Sequence, residues 1–284
     1  MQLVLIGGAQ RSGTTLLQTL LANALQSPIL PEAHILSDIL ASYKRAREFG
    51  NKTRFFYPAD GDLLAFFQSF AERHVADLVS AARPGDFLVL KDPNFVQVIG
   101  EASILLSQAL RIVAMRDPRD IAASFVQIGQ RQTGTKPSKY EKRDIGFISQ
   151  KIFASYRPLM DAAQPSAVIV RYEELASDPK QCLDVLARDT GLKLCLDRIE
   201  HPVWLDAQAR HDASWISELE GGKASPASIG SFQRVLRGDE IAVVQSICEP
   251  IMSRFGYAPI EDRALRRDRV LKRVGLRRTR SWNA

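Results

Sequence analysis

The chain has 284 residues, 45% of them hydrophobic and 25% charged, an ordinary soluble composition with enough apolar residues for one large α/β core. No apolar run approaches the roughly 18 residues that a membrane span needs, and no Pro/Gly/Ser-rich linker, repeat or low-complexity tract divides the chain. The net charge of +6 resides in residues 261–284, which hold nine Lys and Arg against three Asp and Glu, so the basic pI describes a tail and not the body, and a nucleic-acid partner is not expected.

The first apolar run, Leu3–Ile6, reads as a strand. It is short, no Lys or Arg precedes it, and it runs straight into Gly7-Gly8, so no signal peptide is expected. A helical pattern follows over Thr15–Leu25, and another over His34–Phe49 with Ile35, Ile39, Leu40 and Tyr43. Asp62–Ala82 opens on Asp-Gly-Asp and stops before Arg83-Pro84-Gly85, which are start and stop signals for a helix. Phe87–Leu90, Ile112–Met115 and Ala167–Val170 read as further strands, short and apolar without alternation, as in a parallel sheet buried on both faces. Helices are expected over Pro118–Ile128, with proline in the first turn, over Asp144–Ala163 and over Asp239–Phe255. This alternation implies a doubly wound α/β fold, three layers around a central, mostly parallel sheet, with ligands at the carboxyl ends of the strands. Residues 1–260 read as one domain and 261–284 as a basic extension, suited to weak contact with an anionic membrane or an acidic partner. Cys182, Cys195 and Cys248 are odd in number and show no metal or redox spacing, which reads as free thiols in a reducing cytoplasm.

The stretch LVLIGGAQRSGTTLL places a glycine turn between a strand and a helix. Gly8-x-x-x-x-Gly13 fits the spacing of a Walker A loop, but Thr14 and Thr15 follow where that loop has Lys then Ser or Thr. Inward backbone N–H groups and a helix N-terminus still make an anion nest. Arg11 supplies the full charge that the missing lysine would carry, and Thr14 and Thr15 offer hydroxyls. A second anion site is expected in AMRDPRDIAASF. Arg116 follows the third strand, and Ser124, two turns into the next helix, can face back toward it; a guanidinium and a hydroxyl suit a phosphate.

IGGAQRSGTTLL resembles the 5′-phosphosulfate loop of sulfotransferases that use 3′-phosphoadenosine 5′-phosphosulfate (PAPS), and RIVAMRDPRDIAAS resembles their 3′-phosphate motif. VIVRYEELASDP, SIGSFQRVL and MSRFGYAP resemble later segments of the same family, and the motifs are similar to those of tyrosylprotein and bacterial sulfotransferases. The resemblance spans roughly residues 3–259 and implies a P-loop-like fold with PAPS as donor and no metal. By it, Arg11, Ser12, Gly13, Thr14 and Thr15 hold the 5′ end, Arg116 and Ser124 hold the 3′-phosphate, and Tyr172 contacts the nucleotide. The tyrosylprotein enzymes carry a further basic residue four positions after the 3′-phosphate serine. Ile128 stands there in this chain, which leaves Lys223 or Arg131 as guesses for the second cation.

Two catalytic roles follow from sulfuryl transfer, reasoned by analogy with the loose transition state of phosphoryl transfer. A base takes the acceptor's proton, and a cation meets the leaving oxygen. Glu32, in SPILPEAHILSDIL, matches the segment that holds a catalytic glutamate in the tyrosylprotein enzymes. The bland reading is a first-turn glutamate favoured by the helix dipole, and His34 is the rival base. Lys91, in FLVLKDPNF, is the expected cation; its bland reading is a pair with Asp92. The other histidines, His74, His201 and His211, form no metal spacing. Trp204 and Trp215 could line an acceptor cleft or simply pack. A peptide tyrosine and a saccharide hydroxyl are both candidate acceptors. Readings of another class are an ATP- or GTP-dependent kinase with a degenerate loop and a non-catalytic nucleotide-binding interaction module.

Overall fold

A computed structural model describes residues 1–59, 61–131, 140–161, 167–199 and 224–260. Lys223, His201, His211, Trp204, Trp215 and the basic tail lie outside the described residues. Four parallel strands form the sheet: β1 (Gln2–Gly8), β2 (Phe87–Lys91), β3 (Leu110–Met115) and β4 (Val168–Arg171), in the order β2-β1-β3-β4. Each strand contains or overlaps a run of Leu, Ile and Val that has no polar alternation, because both faces of the sheet are covered. On β1, Val4 and Ile6 point to one face while Leu3 and Leu5 point to the other.

The helices are α1 (Thr14–Leu25), α2 (His34–Glu48), α3 (Gly50–Phe56), α4 (Asp62–Ala82), α5 (Ile99–Leu105), α6 (Pro118–Arg131), α7 (Ile145–Asp161), α8 (Tyr172–Ser177), α9 (Pro179–Thr190), α10 (Phe232–Val235) and α11 (Gly238–Arg254). On one face α1 packs Leu17, Leu20 and Leu21 against Val4, Ile6 and Ile112, with Leu183 and Leu186 of α9 beside them. On the other, α2 and α5 cover Leu3, Leu5, Leu88 and Leu90. There too α6, α7 and α11 cover Val113 and Met115. The expected three-layer α/β architecture is present, and no described helix is long and apolar enough to cross a membrane.

This topology fixes where chemistry can occur. All four strands run the same way, so the loop after β1, Lys91 on β2, Arg116 after β3 and Tyr172 after β4 share the carboxyl edge of the sheet. The central strand β1 lies between β2 and β3, which places its loop between Lys91 and Arg116.

Candidate active site

The loop after β1 is shaped by unusual backbone. Gly13 takes φ 94 and Arg11 takes φ 72, a left-handed conformation that non-glycine residues seldom adopt. Gly13 lies flat against Tyr172; a Cβ there would collide with the ring. Helix α1 begins next, with no side-chain cap and no acidic residue in its first turn. Its leading amide groups therefore keep their donors and their positive end. Ser12 is fully buried, and its Oγ has no hydrogen-bond partner among the described residues. Tyr156 stands below the loop and donates to the Ala114 carbonyl at 2.9 Å. Burial pushes its phenol above the ordinary value and keeps it neutral.

Arg116 is 6% exposed. Its Nη1 donates to the Arg11 carbonyl at 3.1 Å and its Nη2 to the Ser228 carbonyl at 2.9 Å. The guanidinium stacks 4.2 Å above the Tyr172 ring, whose hydroxyl lies 2.6 Å from Ser228 Oγ. No carboxylate pairs with Arg116 among the described residues, and its buried Nε has no partner. The neighbouring acids are engaged elsewhere. Asp117 accepts three bonds from the Arg119 guanidinium at 2.7–3.3 Å. Glu173 accepts from the Asp117 amide at 2.9 Å and from the Tyr257 hydroxyl at 3.1 Å. Burial, and next the Glu173 charge, push Tyr257 well above its ordinary value. A buried cation without a counter-ion is costly unless an anion meets it. Beside it stand the open α1 terminus and the orphaned Ser12 hydroxyl, so these residues fit a bound phosphate group.

Ser124, on α6, accepts from Arg11 Nε at 3.1 Å. The two expected anion sites are therefore one continuous surface, and the Arg11 side chain turns toward the second. Asp120, one turn before Ser124, accepts from Gly230 N, Ser231 Oγ and Phe232 N at 2.8–3.0 Å. It anchors the SIGSF segment to α6 and so sets the Ser228 carbonyl on Arg116. Asp120 and Ser228 were missed as site residues. Both stand in motifs quoted from the sequence, but their role is to join segments more than 100 residues apart.

The carboxyl end of β2 carries the other half of the site. Lys91, 6% exposed, donates to Glu32 Oε1 at 2.7 Å. It is not paired with Asp92. Glu32 Oε2 lies 3.3 Å from His34 Nε2, and His34 Nδ1 lies 2.7 Å from Asp92 Oδ2. Asp92 is fully buried and also accepts from Asn94 N at 2.7 Å and Ser37 Oγ at 3.3 Å. The Ala33 amide donates to the Lys91 carbonyl at 2.9 Å, pinning the start of α2 to the end of β2. The two candidate bases thus form one chain, Lys91–Glu32–His34–Asp92, with His34 reaching solvent at 63% side-chain exposure. Thr14 is buried and Thr15 exposed. Arg131 closes α6 two turns past Ser124 and is exposed, while Ile128 is fully buried in the core between α6, α7 and α11.

A model of the sulfotransferase family matches residues 4–195, the stretch that carries the loop, Glu32, Lys91, Arg116, Ser124 and Tyr172. This chain belongs to the sulfotransferase family. It is similar to protein-tyrosine sulfotransferase 1 of Danio rerio, 24% identical over 281 residues that cover 91% of this chain and 73% of the relative. Two solved sulfotransferase domains share the fold. The one from the curacin biosynthetic pathway superposes with a TM-score of 0.53 at 16% identity, over 91% of this chain and 99% of that domain. The one from the Synechococcus PCC 7002 olefin synthase gives 0.52 at 18% identity, over 87% and 94%.

Proposed function

We propose that this sulfotransferase moves a sulfuryl group from PAPS to an acceptor hydroxyl, and that the acceptor is a tyrosine in a peptide. One observation carries the donor assignment: Arg116 is a buried guanidinium that meets carbonyls and an aromatic face but no carboxylate among the described residues. Family membership makes a PAPS-type donor the natural anion for it. The match to a protein-tyrosine sulfotransferase supports tyrosine as acceptor; a saccharide hydroxyl is the alternative.

The donor, when bound, supplies an activated sulfuryl group on a 5′-phosphate and a separate 3′-phosphate. In this reading the amides at the start of α1, with Arg11, Ser12, Gly13, Thr14 and Thr15, hold the 5′ end. Arg116 and Ser124 hold the 3′-phosphate, and Tyr172 braces the nucleotide. Glu32 takes the proton of the acceptor hydroxyl, and Lys91, at the strand end, stabilises negative charge on the leaving oxygen. The Lys91–Glu32 bond holds the carboxylate in place before the acceptor arrives.

Thermal melting with nucleotides tests the donor. Adenosine 3′,5′-bisphosphate (PAP) without metal should stabilise the protein strongly, by about 2.7 kcal/mol at a hundred times its Kd, and Mg·ATP should do little. The reverse ranking would point to a kinase and remove the proposal. Incubation with ³⁵S-labelled PAPS and cell extract tests the acceptor: label in peptide supports tyrosine, and label in glycan moves the assignment to a saccharide.

A further inference from the structure

We propose that helix α3 and the end of α2 form a docking surface for an anionic lipid bilayer, on which the protein lies without spanning it. Residues 44–56, KRAREFGNKTRFF, carry five Lys and Arg against one Glu, with three phenylalanines among them, while residues 1–260 as a whole are balanced in charge. None of these phenylalanines joins the core: Phe49 is 60% exposed, Phe55 83% and Phe56 75%. No residue of α3 is buried. Phe55 and Phe56 meet edge to face, with ring centres 5.2 Å apart. Tyr57 packs at 5.5 Å on Phe66 of α4, and Phe66 and Phe70, both half-exposed, continue the apolar surface along that helix.

The charge of the surface selects its occupant. Thr53 Oγ1 donates to the Ala46 carbonyl at 2.6 Å and ties α3 to the last turn of α2. Arg47 lies 3.8 Å from Glu101, whereas Lys52 and Arg54 are exposed and make no ion pair among the described residues. Exposed phenylalanine interleaved with lysine and arginine suits a headgroup boundary, where rings reach the acyl chains and cations meet anionic headgroups. Behind α3 a cleft of about 300 Å³ has Arg47 and Arg54 in its wall, two guanidinium groups suited to a lipid phosphate. Two other occupants fit worse. A second copy of this chain, docked by the same face, would set one positive stretch against another. A folded protein partner buries about 800 Å² per side and anchors its aromatic residues in pockets, while α3 is only about 10 Å long and its phenylalanines stand out from the surface. A bilayer requires no such match of shape. Helix α2, with 15 residues, sets this surface about 22 Å from His34, clear of the active site.

Flotation of the full chain with lipid vesicles tests this. The unaltered protein should bind vesicles of phosphatidylcholine mixed with phosphatidylserine, bind vesicles of phosphatidylcholine alone at least about tenfold less, and be released by salt. Phe55→Ala with Phe56→Ala should weaken binding to the anionic vesicles by about tenfold or more, through the lost burial of two rings. Lys52→Gln with Arg54→Gln should weaken it by about 25-fold, at about fivefold per charge, and leave the weak binding to phosphatidylcholine alone unchanged. All four side chains are exposed, so both variants should keep the melting temperature of the unaltered protein and its response to PAP. Failure of the unaltered protein to bind anionic vesicles would overturn the proposal. So would unchanged binding by the phenylalanine variant, which would move the contact elsewhere on the chain. A dimer in light scattering that the phenylalanine variant abolishes would overturn it too, by making this face a protein interface. None of these outcomes touches the donor assignment.

Discussion

At the scale of single residues, the central fact is how Glu32 is held. Lys91 takes one carboxylate oxygen and His34 faces the other. With Nδ1 directed at buried Asp92, His34 can present Nε2 to Glu32 as proton donor or acceptor, and its exposed ring connects that oxygen with solvent. The rival base is therefore a neighbour of the first. Glu32→Gln should lower transfer by about 10² to 10⁴-fold, the usual worth of a positioned base, with PAP stabilisation unchanged. His34→Ala should lower it far less, since Lys91 still holds the carboxylate. Steady-state rates of the two variants separate the roles: a His34→Ala loss equal to that of Glu32→Gln would make the imidazole indispensable. In the sequence, Glu32 and His34 stand as candidates on one segment and Lys91 on another. The sequence did not show their contact, because the strand-end pairing that sets α2 beside β2 is a long-range hydrogen bond. Nor did it show the direction of the Arg11 side chain, which depends on a backbone conformation rare outside glycine.

At the scale of elements, the carboxyl edge depends on segments being tied to one another. Asp120 on α6 binds Gly230, Ser231 and Phe232 and is almost fully buried. Asp120→Ala would remove three bonds to a charged acceptor, each worth about 1.5–3 kcal/mol. With partial relaxation, a loss of about 3–5 kcal/mol is expected in chemical unfolding. The same change should weaken PAP, because the Ser228 carbonyl and hydroxyl that steady Arg116 and Tyr172 belong to that segment. Asp120→Asn, which retains acceptor capacity, should recover part of both losses. Unaltered PAP binding by a folded Asp120→Ala protein would disconnect the segment from the site. Strands and long helices were readable from their periodicity, and every strand was found within a residue or two. Helices α3, α5, α8, α9 and α10 were not. Four of them have only four to seven residues, too few turns for a helical period to register. The fifth, α9, begins at Pro179 with Asp178 as its cap, a start signal hidden inside a motif read for its resemblance.

At the scale of the whole molecule, α11 is joined to the segment before α7 by a nearly buried carboxylate. Glu240 accepts from Arg143 Nε and Nη2 at 2.7 and 2.8 Å and from the Arg237 amide at 2.8 Å. Arg143 also donates to the Val235 carbonyl at 2.8 Å. The Arg143 hydrogen bonds hold the Glu240 carboxyl below its ordinary value, against the opposing effect of burial. A carboxyl whose value is lowered on folding binds its proton more readily in the unfolded chain. Its stabilisation is then fully present above the ordinary carboxylate range and is lost as pH falls through the lowered folded value. Glu240→Gln should therefore be less stable than the unaltered protein at pH 7, by about 2 kcal/mol or about 4–8 °C in Tm. The gap should narrow as pH falls below about 4, where the unaltered protein begins to lose what the variant never had. Melting curves of both proteins across that range provide the check. A gap that holds constant to the lowest pH at which both remain folded would assign the acid sensitivity to another group and leave the Glu240 pair as packing alone.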